Sequence, residues 1–132
     1  MKTEEKLNLS MLCDFYELTM GNGYLQAGLE QLVRYIQELH FDEEDIDFLR
    51  KKGIFSEEFL EYLRDFRFTG DIWAVPEGTP IFPREPVVTV RAPAIQAQLI
   101  ETFTLLTVNH QSLIATKANR IVRAAQGRTV LE

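Results

Sequence analysis

The chain has 132 residues, a length typical of one domain, and its 14 Lys and Arg against 20 Asp and Glu give a formal net charge of −6. This acidic balance argues against a broad surface for nucleic acid or for an anionic membrane. A single cysteine excludes an internal disulfide, and no apolar run reaches the length of a membrane span or of a signal-peptide core. We therefore predict a soluble cytoplasmic protein, either part of an enzyme or a small-molecule binder.

The opening stretch CDFYELTMGNGY, residues 13–24, reads as the start of a helix. Asp14 and Glu17 are spaced as a capping box, which would place Tyr16 in the first turn, at the positive end of the helix dipole. Four side chains recur at helical spacing along one predicted stripe: Tyr16, Met20, Tyr24 and Ala27. From the residues alone, a purely structural interpretation is also open, in which Asp14 serves only as a helix cap and Tyr16 and Tyr24 are core residues.

Two glycines, Gly21 and Gly23, interrupt this predicted helix. Each costs about 0.5–1 kcal/mol relative to alanine in a helix interior. We expect them to allow another backbone to approach closely, as a subunit interface would require.

A run of short helices follows. Apolar residues repeat at helical spacing through LEQLVRYIQEL, and Asp42 and Ser56 stand where two further helices need caps. Gly53 suits the C-terminus of the first of these two helices. The acidic residues after each cap complement the helix dipole, so we interpret them as structural and not catalytic.

The hydrophobic pattern then changes to that of strands, broken by four prolines and by Gly78. Residues 71–75 and 87–91 are predicted to pair as a small antiparallel sheet. Two long buried helices are predicted over residues 93–107 and 111–126, and RTVLE is expected to begin another strand. The predicted fold class is α+β, mostly helical with a small sheet.

No free-standing catalytic group can be assembled from motifs. The sequence lacks a phosphate-binding glycine loop, a zinc-protease motif and a Cys/His cluster, so we assign no catalytic, cofactor or metal residue. His40 and His110 are expected at helix boundaries in structural or solvent-facing roles. Cys13 is expected to be a buried staple residue rather than a nucleophile, and Lys117 a paired or snorkelling lysine rather than an anion ligand.

Three long segments, in order along the chain, resemble the nicotinate phosphoribosyltransferases: CDFYELTMGNGYLQAG, FTGDIWAVPEGTPIFPREPVVTVRAPAIQAQLIET and NHQSLIATKANRIVRAAQGRTVLE. The resemblance implies an enzyme that joins nicotinate to phosphoribosyl pyrophosphate, giving nicotinate mononucleotide and pyrophosphate in NAD salvage. It further implies coupling to ATP hydrolysis through a phosphohistidine, Mg²⁺ and ATP in the complete enzyme, and a homodimer.

The same resemblance assigns the substrate site. It implies that Tyr16 stacks on the pyridine ring of nicotinate, reaching the site of the neighbouring subunit, and that Asp14 lies beside it. A helix N-terminus would favour the carboxylate of nicotinate. Neither His40 nor His110 matches the phosphorylated histidine of the family.

The resemblance also implies that residues 1–132 form a single partial domain, the N-terminal region of a type II phosphoribosyltransferase without its α/β barrel. An internal segment of a few dozen residues, between the opening helix and LEQLVRYIQEL, is expected to be missing. We therefore expect a chain that is inactive alone. The alternative is a non-catalytic remnant, or a dimerisation or interaction module.

Overall fold

A computed structural model describes residues 6–12 and 23–131 of the chain, and the side chains of residues 23–131. Within these ranges the fold is α+β and mostly helical, with small antiparallel sheets, which confirms the predicted fold class. The elements in chain order are β1 Lys6–Leu12, β2 Tyr24–Leu25, α1 Leu29–Glu38, α2 Glu43–Lys52, α3 Glu57–Arg64, β3 Asp71–Ala74, β4 Pro80–Ile81, β5 Pro86–Pro93 and α4 Ala94–Ala125.

The larger sheet has three antiparallel strands in the order β1-β5-β3. The predicted pairing of residues 71–75 with 87–91 is confirmed by β3 and β5, with Ile72 opposite Val90. The sequence analysis missed β1, although Leu7, Leu9 and Met11 alternate with polar residues, the period of a strand. On β5 the alternate side chains of Val88, Val90 and Ala92 are buried, so β5 supplies the sheet's core face.

The smaller sheet pairs β2 with β4, Tyr24 lying opposite Ile81. The prediction that Tyr24 and Ala27 continue an opening helix is wrong, since Tyr24 is a strand residue and Ala27 lies in the following loop. Tyr24 is 3% exposed and belongs to the main core, as the alternative interpretation had it. The rest of the predicted opening helix lies outside the described residues.

Gly23 lies where the chain entering β2 comes close to the end of β4. A Cβ at this position would lie 2.8 Å from the carbonyl oxygen of Ile81 and 3.0 Å from the ring of Phe82. No side chain fits at such a distance, so glycine is required for β2 to reach β4. Gly23 therefore admits a close backbone, as expected, and among the described residues that backbone is β4 of the same chain.

The short helices begin and end where their caps predict. Asp42 forms a reciprocal capping box with Asp45, and the hydroxyl of Ser56 accepts a hydrogen bond from the Phe59 amide. Gly53 ends α2 in the left-handed conformation, with φ of 68°. Helices α2 and α3 bury a small cluster of their own, formed by Ile46, Leu60 and Leu63.

Helix α4 is continuous over 32 residues, so the prediction of two helices, 93–107 and 111–126, is wrong at the join. Residues 108–110 are Val-Asn-His, which include no glycine or proline that would interrupt the backbone hydrogen bonds. His110 consequently lies inside α4 and not at a helix boundary. The expected strand at the end of the chain is not formed, because residues 128–131 have no regular structure.

The buried stripe of α4 changes character along its length. Ala97, Ile100 and Val108 pack into the main core, whereas Ser112 and Thr116 continue the stripe with buried hydroxyls. The sequence predicts a different buried stripe for the first half, Ile95, Leu99, Phe103 and Leu106. That prediction is wrong for Ile95 and Leu106, which are 44% and 66% exposed, while Leu99 and Phe103 are half-buried. In the second half Ile121 and Val122 are 45% and 62% exposed, so the predicted burial fails there as well.

The two hydroxyls on α4 hold β2 through its backbone. The Leu25 amide donates to Thr116 Oγ1 at 2.9 Å, and the Ala27 amide donates to Ser112 Oγ at 3.1 Å. Each hydroxyl thus satisfies a backbone donor that the short β2–β4 ladder leaves unused. The segment after Gly23 is therefore fixed by β4 on one side and by α4 on the other.

Thr116→Val should lower the free energy of unfolding by about 1–3 kcal/mol, because the Leu25 amide loses its acceptor while the side-chain shape is kept. Thr102→Val is the matched control, since Thr102 is exposed on the same helix and should change stability by no more than about 0.5 kcal/mol. Urea unfolding followed by circular dichroism measures both. Equal losses for the two variants would contradict this role of Thr116.

Candidate functional site

The two residues that the sequence analysis places at the substrate, Asp14 and Tyr16, lie outside the described residues. The structure does describe the residues that flank their segment. Leu12, at the end of β1, pairs with Pro86 at the start of β5, next to a register shift between Met11 and Leu12. On the other side, Tyr24 pairs with Ile81 of β4. One flank is thus attached to β5 and the other to β4, the two strands on either side of residues 82–85.

The turn that connects β4 to β5, residues 82–85, is held by its own hydrogen bonds. The Phe82 amide donates to Glu85 Oε2 at 2.9 Å, and the Glu85 amide donates to the Phe82 carbonyl at 3.3 Å. Arg84 has a φ of +67°, a left-handed conformation that few non-glycine residues adopt. A rigid turn therefore lies between the two flanks.

Two side chains of this turn face solvent. Phe82 is 51% exposed, and Arg84 is exposed with no ion pair to any described residue. This one turn thus supplies an apolar ring and a guanidinium, the two kinds of group that an aromatic anion needs, a flat apolar contact and a positive charge. The sequence analysis assigned no role to either residue. The prolines around them indicated a turn, but its exposure could be seen only in the structure.

A cleft of about 350 Å³ opens at the N-terminus of α1. The N-cap residue of this helix is Gly28, which has a φ of +95° and no side chain to cap the helix. The side chain of Glu77 caps it instead. Glu77 Oε1 accepts from the Leu29 amide at 2.6 Å and from the Glu30 amide at 3.3 Å. Because these amides are already bonded to a carboxylate, we interpret the cleft as a structural cap and not as an anion site.

The remaining titratable candidates are not gathered into a site. His40 follows α1, its Nδ1 lying 2.6 Å from the Glu38 carbonyl oxygen, and Lys117 is exposed on α4. Burial raises the pKa of Tyr35, whose ring stacks on Phe103 at 3.8 Å and joins α1 to α4. Arg50 hydrogen-bonds Glu57, which raises the pKa of Arg50. These contacts stabilise the fold.

The described residues do not fit the Mg²⁺ that the resemblance implies. Across this part of the chain, no three His, Cys, Asp or Glu side chains come close enough together to hold a metal ion. We accordingly derive no step through a metal from these residues. The helices within the described ranges include none that is both long and apolar enough to span a membrane.

Comparisons with known proteins identify the family. The family model described as the nicotinate phosphoribosyltransferase N-terminal domain matches residues 25–109. The chain is 50% identical over 119 residues to a nicotinate phosphoribosyltransferase of Mycobacterium tuberculosis, pncB2, covering 89% of this chain and 26% of the relative. It is 42% identical over 119 residues to the Bacillus subtilis enzyme, covering 89% of this chain and 24% of that protein.

A more distant relative, the nicotinate phosphoribosyltransferase of Caenorhabditis elegans, is 33% identical over 156 aligned positions, covering 95% of this chain and 27% of that protein. This alignment is longer than the 132 residues of the chain, so the relative must contain residues that have no counterpart here. The longer alignment agrees with the expected absence of an internal segment from this chain, but it does not show where in the chain that segment would lie.

A solved structure supports the same assignment. The crystal structure of human nicotinic acid phosphoribosyltransferase superposes with a TM-score of 0.75 at 30% identity, over 95% of this chain and 25% of the human chain. The chain thus spans about a quarter of the length of the relatives that it matches. On sequence and fold together, the chain belongs to the nicotinate phosphoribosyltransferase family.

Proposed function

We propose that this chain takes part in nicotinate phosphoribosyl transfer, in which nicotinate and phosphoribosyl pyrophosphate give nicotinate mononucleotide and pyrophosphate, with ATP hydrolysis, in NAD salvage. The single observation that supports this most strongly is the 50% identity to the mycobacterial enzyme over 89% of the chain. Because the chain spans about a quarter of that enzyme, its proposed role is to supply one part of the substrate site.

That part is the segment with Asp14 and Tyr16, together with the 82–85 turn. A tyrosine ring offers a flat face to a pyridine, and stacked aromatic pairs contribute about 0.5–1.5 kcal/mol beyond burial. The proposal is supported by the attachment of the segment's two flanks to β5 and β4, the strands that the 82–85 turn connects. Phe82 and Arg84 on that turn would then add an apolar contact and a positive charge for the carboxylate of nicotinate.

The proposal extends to the complete enzyme. Mg²⁺ and ATP act there, held by residues other than those of this chain, and the protein works in the cytoplasm as a homodimer in which Tyr16 reaches the neighbouring subunit. The support for these statements is the family match, through the enzymatic activity that membership of the family implies. We derive no chemical step through the metal.

A second candidate is a non-catalytic interaction module. The observation that favours it is the exposed apolar surface in the second half of α4, where Ile114, Ile121 and Val122 lack a covering element within the described part of the chain. A module of this kind would bind another polypeptide and carry no substrate. The two candidates are separated by the experiments below.

The isolated 132-residue chain should form no nicotinate mononucleotide when incubated with nicotinate, phosphoribosyl pyrophosphate, Mg²⁺ and ATP. The pyrophosphate leaving group requires positioned cations such as Mg²⁺, and among the described residues no three His, Cys, Asp or Glu come together to hold a metal ion. Chromatographic detection of the product, with the mycobacterial relative assayed in parallel, measures this. Product that persists after removal of any contaminating full-length enzyme would contradict the expectation.

Tyr16→Ala should lower kcat/KM for nicotinate by about tenfold or more in a chimera in which this chain replaces the aligned quarter of the mycobacterial relative, since about 1.4 kcal/mol is a factor of ten. The reason is the loss of the stacking ring. Steady-state kinetics at varied nicotinate concentration gives the values.

Three controls make this result specific. Tyr16→Phe keeps the ring and should retain most of the activity, whereas Asp14→Ala should lower both activity and stability, the latter by about 0.5–2 kcal/mol if Asp14 is a cap. Arg84→Gln should raise KM for nicotinate if the guanidinium meets the carboxylate. If Tyr16→Ala lowers the melting temperature sharply but leaves the kinetics unchanged, Tyr16 is a core residue and the site assignment is wrong.

A further inference from the structure

A groove of about 800 Å³ lies between α3 and the start of α4, on elements that do not contain the proposed substrate segment. Its apolar lining includes Phe59, Tyr62, Phe66 and the exposed side chain of Ile95. The rings of Phe59 and Tyr62 are nearly parallel with centroids 6.4 Å apart, and Tyr62 meets Phe66 edge-on at 6.3 Å. The groove therefore has an aromatic wall, in which the ring of Tyr62 is 37% exposed.

Carboxylates flank the ring of Tyr62 on the surface of α3. Glu58 lies four positions before Tyr62 and Asp65 three positions after it, so both are its neighbours on the same helix face. Glu61 lines the groove as well. None of these three acidic side chains forms an ion pair with any residue that the structure describes. An exposed aromatic ring between free carboxylates is a suitable site for an organic cation.

The basic side chains near the groove do not neutralise these carboxylates. Arg64 pairs with Glu43 of α2 at 2.9 Å. Arg67 lines the groove and donates to the Phe66 carbonyl oxygen at 2.6 Å. Three carboxylates against the one guanidinium of Arg67 leave the groove with a net negative charge. Charge complementarity therefore requires a basic occupant.

A buried amide on the opposite wall is a second, independent observation that indicates a ligand. Gln96 is only 7% exposed, and it lines the groove. Its Oε1 accepts from the Thr69 amide at 2.9 Å, and this contact fixes which end of the Gln96 amide is oxygen, because a backbone N–H only donates. The Gln96 Nε2 group is left with no hydrogen-bond partner among the described residues. A donor that is so nearly buried requires an acceptor, and a peptide carbonyl oxygen is one.

We propose that the groove binds an arginine-containing peptide segment of a partner protein. The arginine guanidinium stacks on the Tyr62 ring and donates to Glu58 and Asp65, because its flat and permanently charged group can do both at once. A carbonyl oxygen of the peptide accepts from Gln96 Nε2, and an apolar neighbour of the arginine packs on Ile95. The site includes no residue of the proposed substrate site, so this inference and the proposed function can fail separately.

The test is a titration of the 132-residue chain with an acetylated and amidated leucine-arginine-leucine peptide, followed by proton–nitrogen NMR correlation spectra. The side-chain amide resonance of Gln96 should shift as the peptide is added. Binding should weaken as the salt is raised from about 0.05 M to about 0.5 M, because exposed charges are screened. The same peptide with citrulline for arginine keeps the shape without the charge, and it should bind about tenfold more weakly or less.

Two double variants separate this site from a general attraction of basic peptides to an acidic protein. Glu58→Gln with Asp65→Asn should weaken binding of the arginine peptide by about tenfold or more. Glu38→Gln with Glu44→Gln removes the same charge from exposed positions outside the groove and should leave the dissociation constant unchanged. Equal weakening by the two pairs, an unmoved Gln96 resonance, or equal binding of the citrulline peptide overturns the proposal.

The chimera with the mycobacterial relative tests whether the groove is open in a complete enzyme. Isothermal titration calorimetry should give the chimera and the 132-residue chain comparable dissociation constants for the arginine peptide. Binding to the chain alone would mean that the rest of the enzyme covers the groove, and it would overturn the proposal. In the chimera, Glu58→Gln with Asp65→Asn should leave kcat/KM for nicotinate unchanged, because the groove is separate from the substrate site.

Discussion

The backbone hydrogen bonding of β5 is the interaction on which the rest of the described structure depends. This strand pairs with β1 on one edge and with β3 on the other, and its last residue is followed directly by α4. Its buried side chains meet those of α4 in the main core, so sheet and helix are fixed by one continuous piece of chain. Loss of β5 pairing would detach β1 and β3 from the sheet, and α4, which follows β5 directly, would lose its fixed position.

The same arrangement determines where the proposed substrate segment is attached. Leu12 pairs with Pro86, the first residue of β5, and Tyr24 pairs with Ile81 of β4, so the two pairings lie on either side of the 82–85 turn. The hydroxyls of Ser112 and Thr116 then hold the chain after Gly23 against α4. The small core thus fixes the residues that precede and follow the proposed substrate segment.

Prediction from the sequence succeeded where one local rule decided the outcome. The caps at Asp42 and Ser56 and the turn at Gly53 depend on a few neighbouring residues, and all three are found. It failed where distant contacts decide. Tyr24 is a strand residue because β2 pairs with β4, and position 23 must lack a side chain because of the Ile81 carbonyl, 58 positions away in the chain. The exposure of Arg84 likewise depends on tertiary packing. The break predicted at residues 108–110 is a local misreading, since nothing in these residues interrupts α4. Asp14 and Tyr16 came from the resemblance, and their roles stay predictions.

Hydrogen exchange of the amides of residues 88–91 tests the central place of β5 most directly. All four lie in the part of β5 that is paired on both edges, so they should be among the slowest-exchanging amides of the chain, opening only with global unfolding. Residues 71–74 of β3, which pair on one edge only among the described strands, should exchange faster on average. Exchange at residues 88–91 as fast as at residues 71–74 would contradict the account.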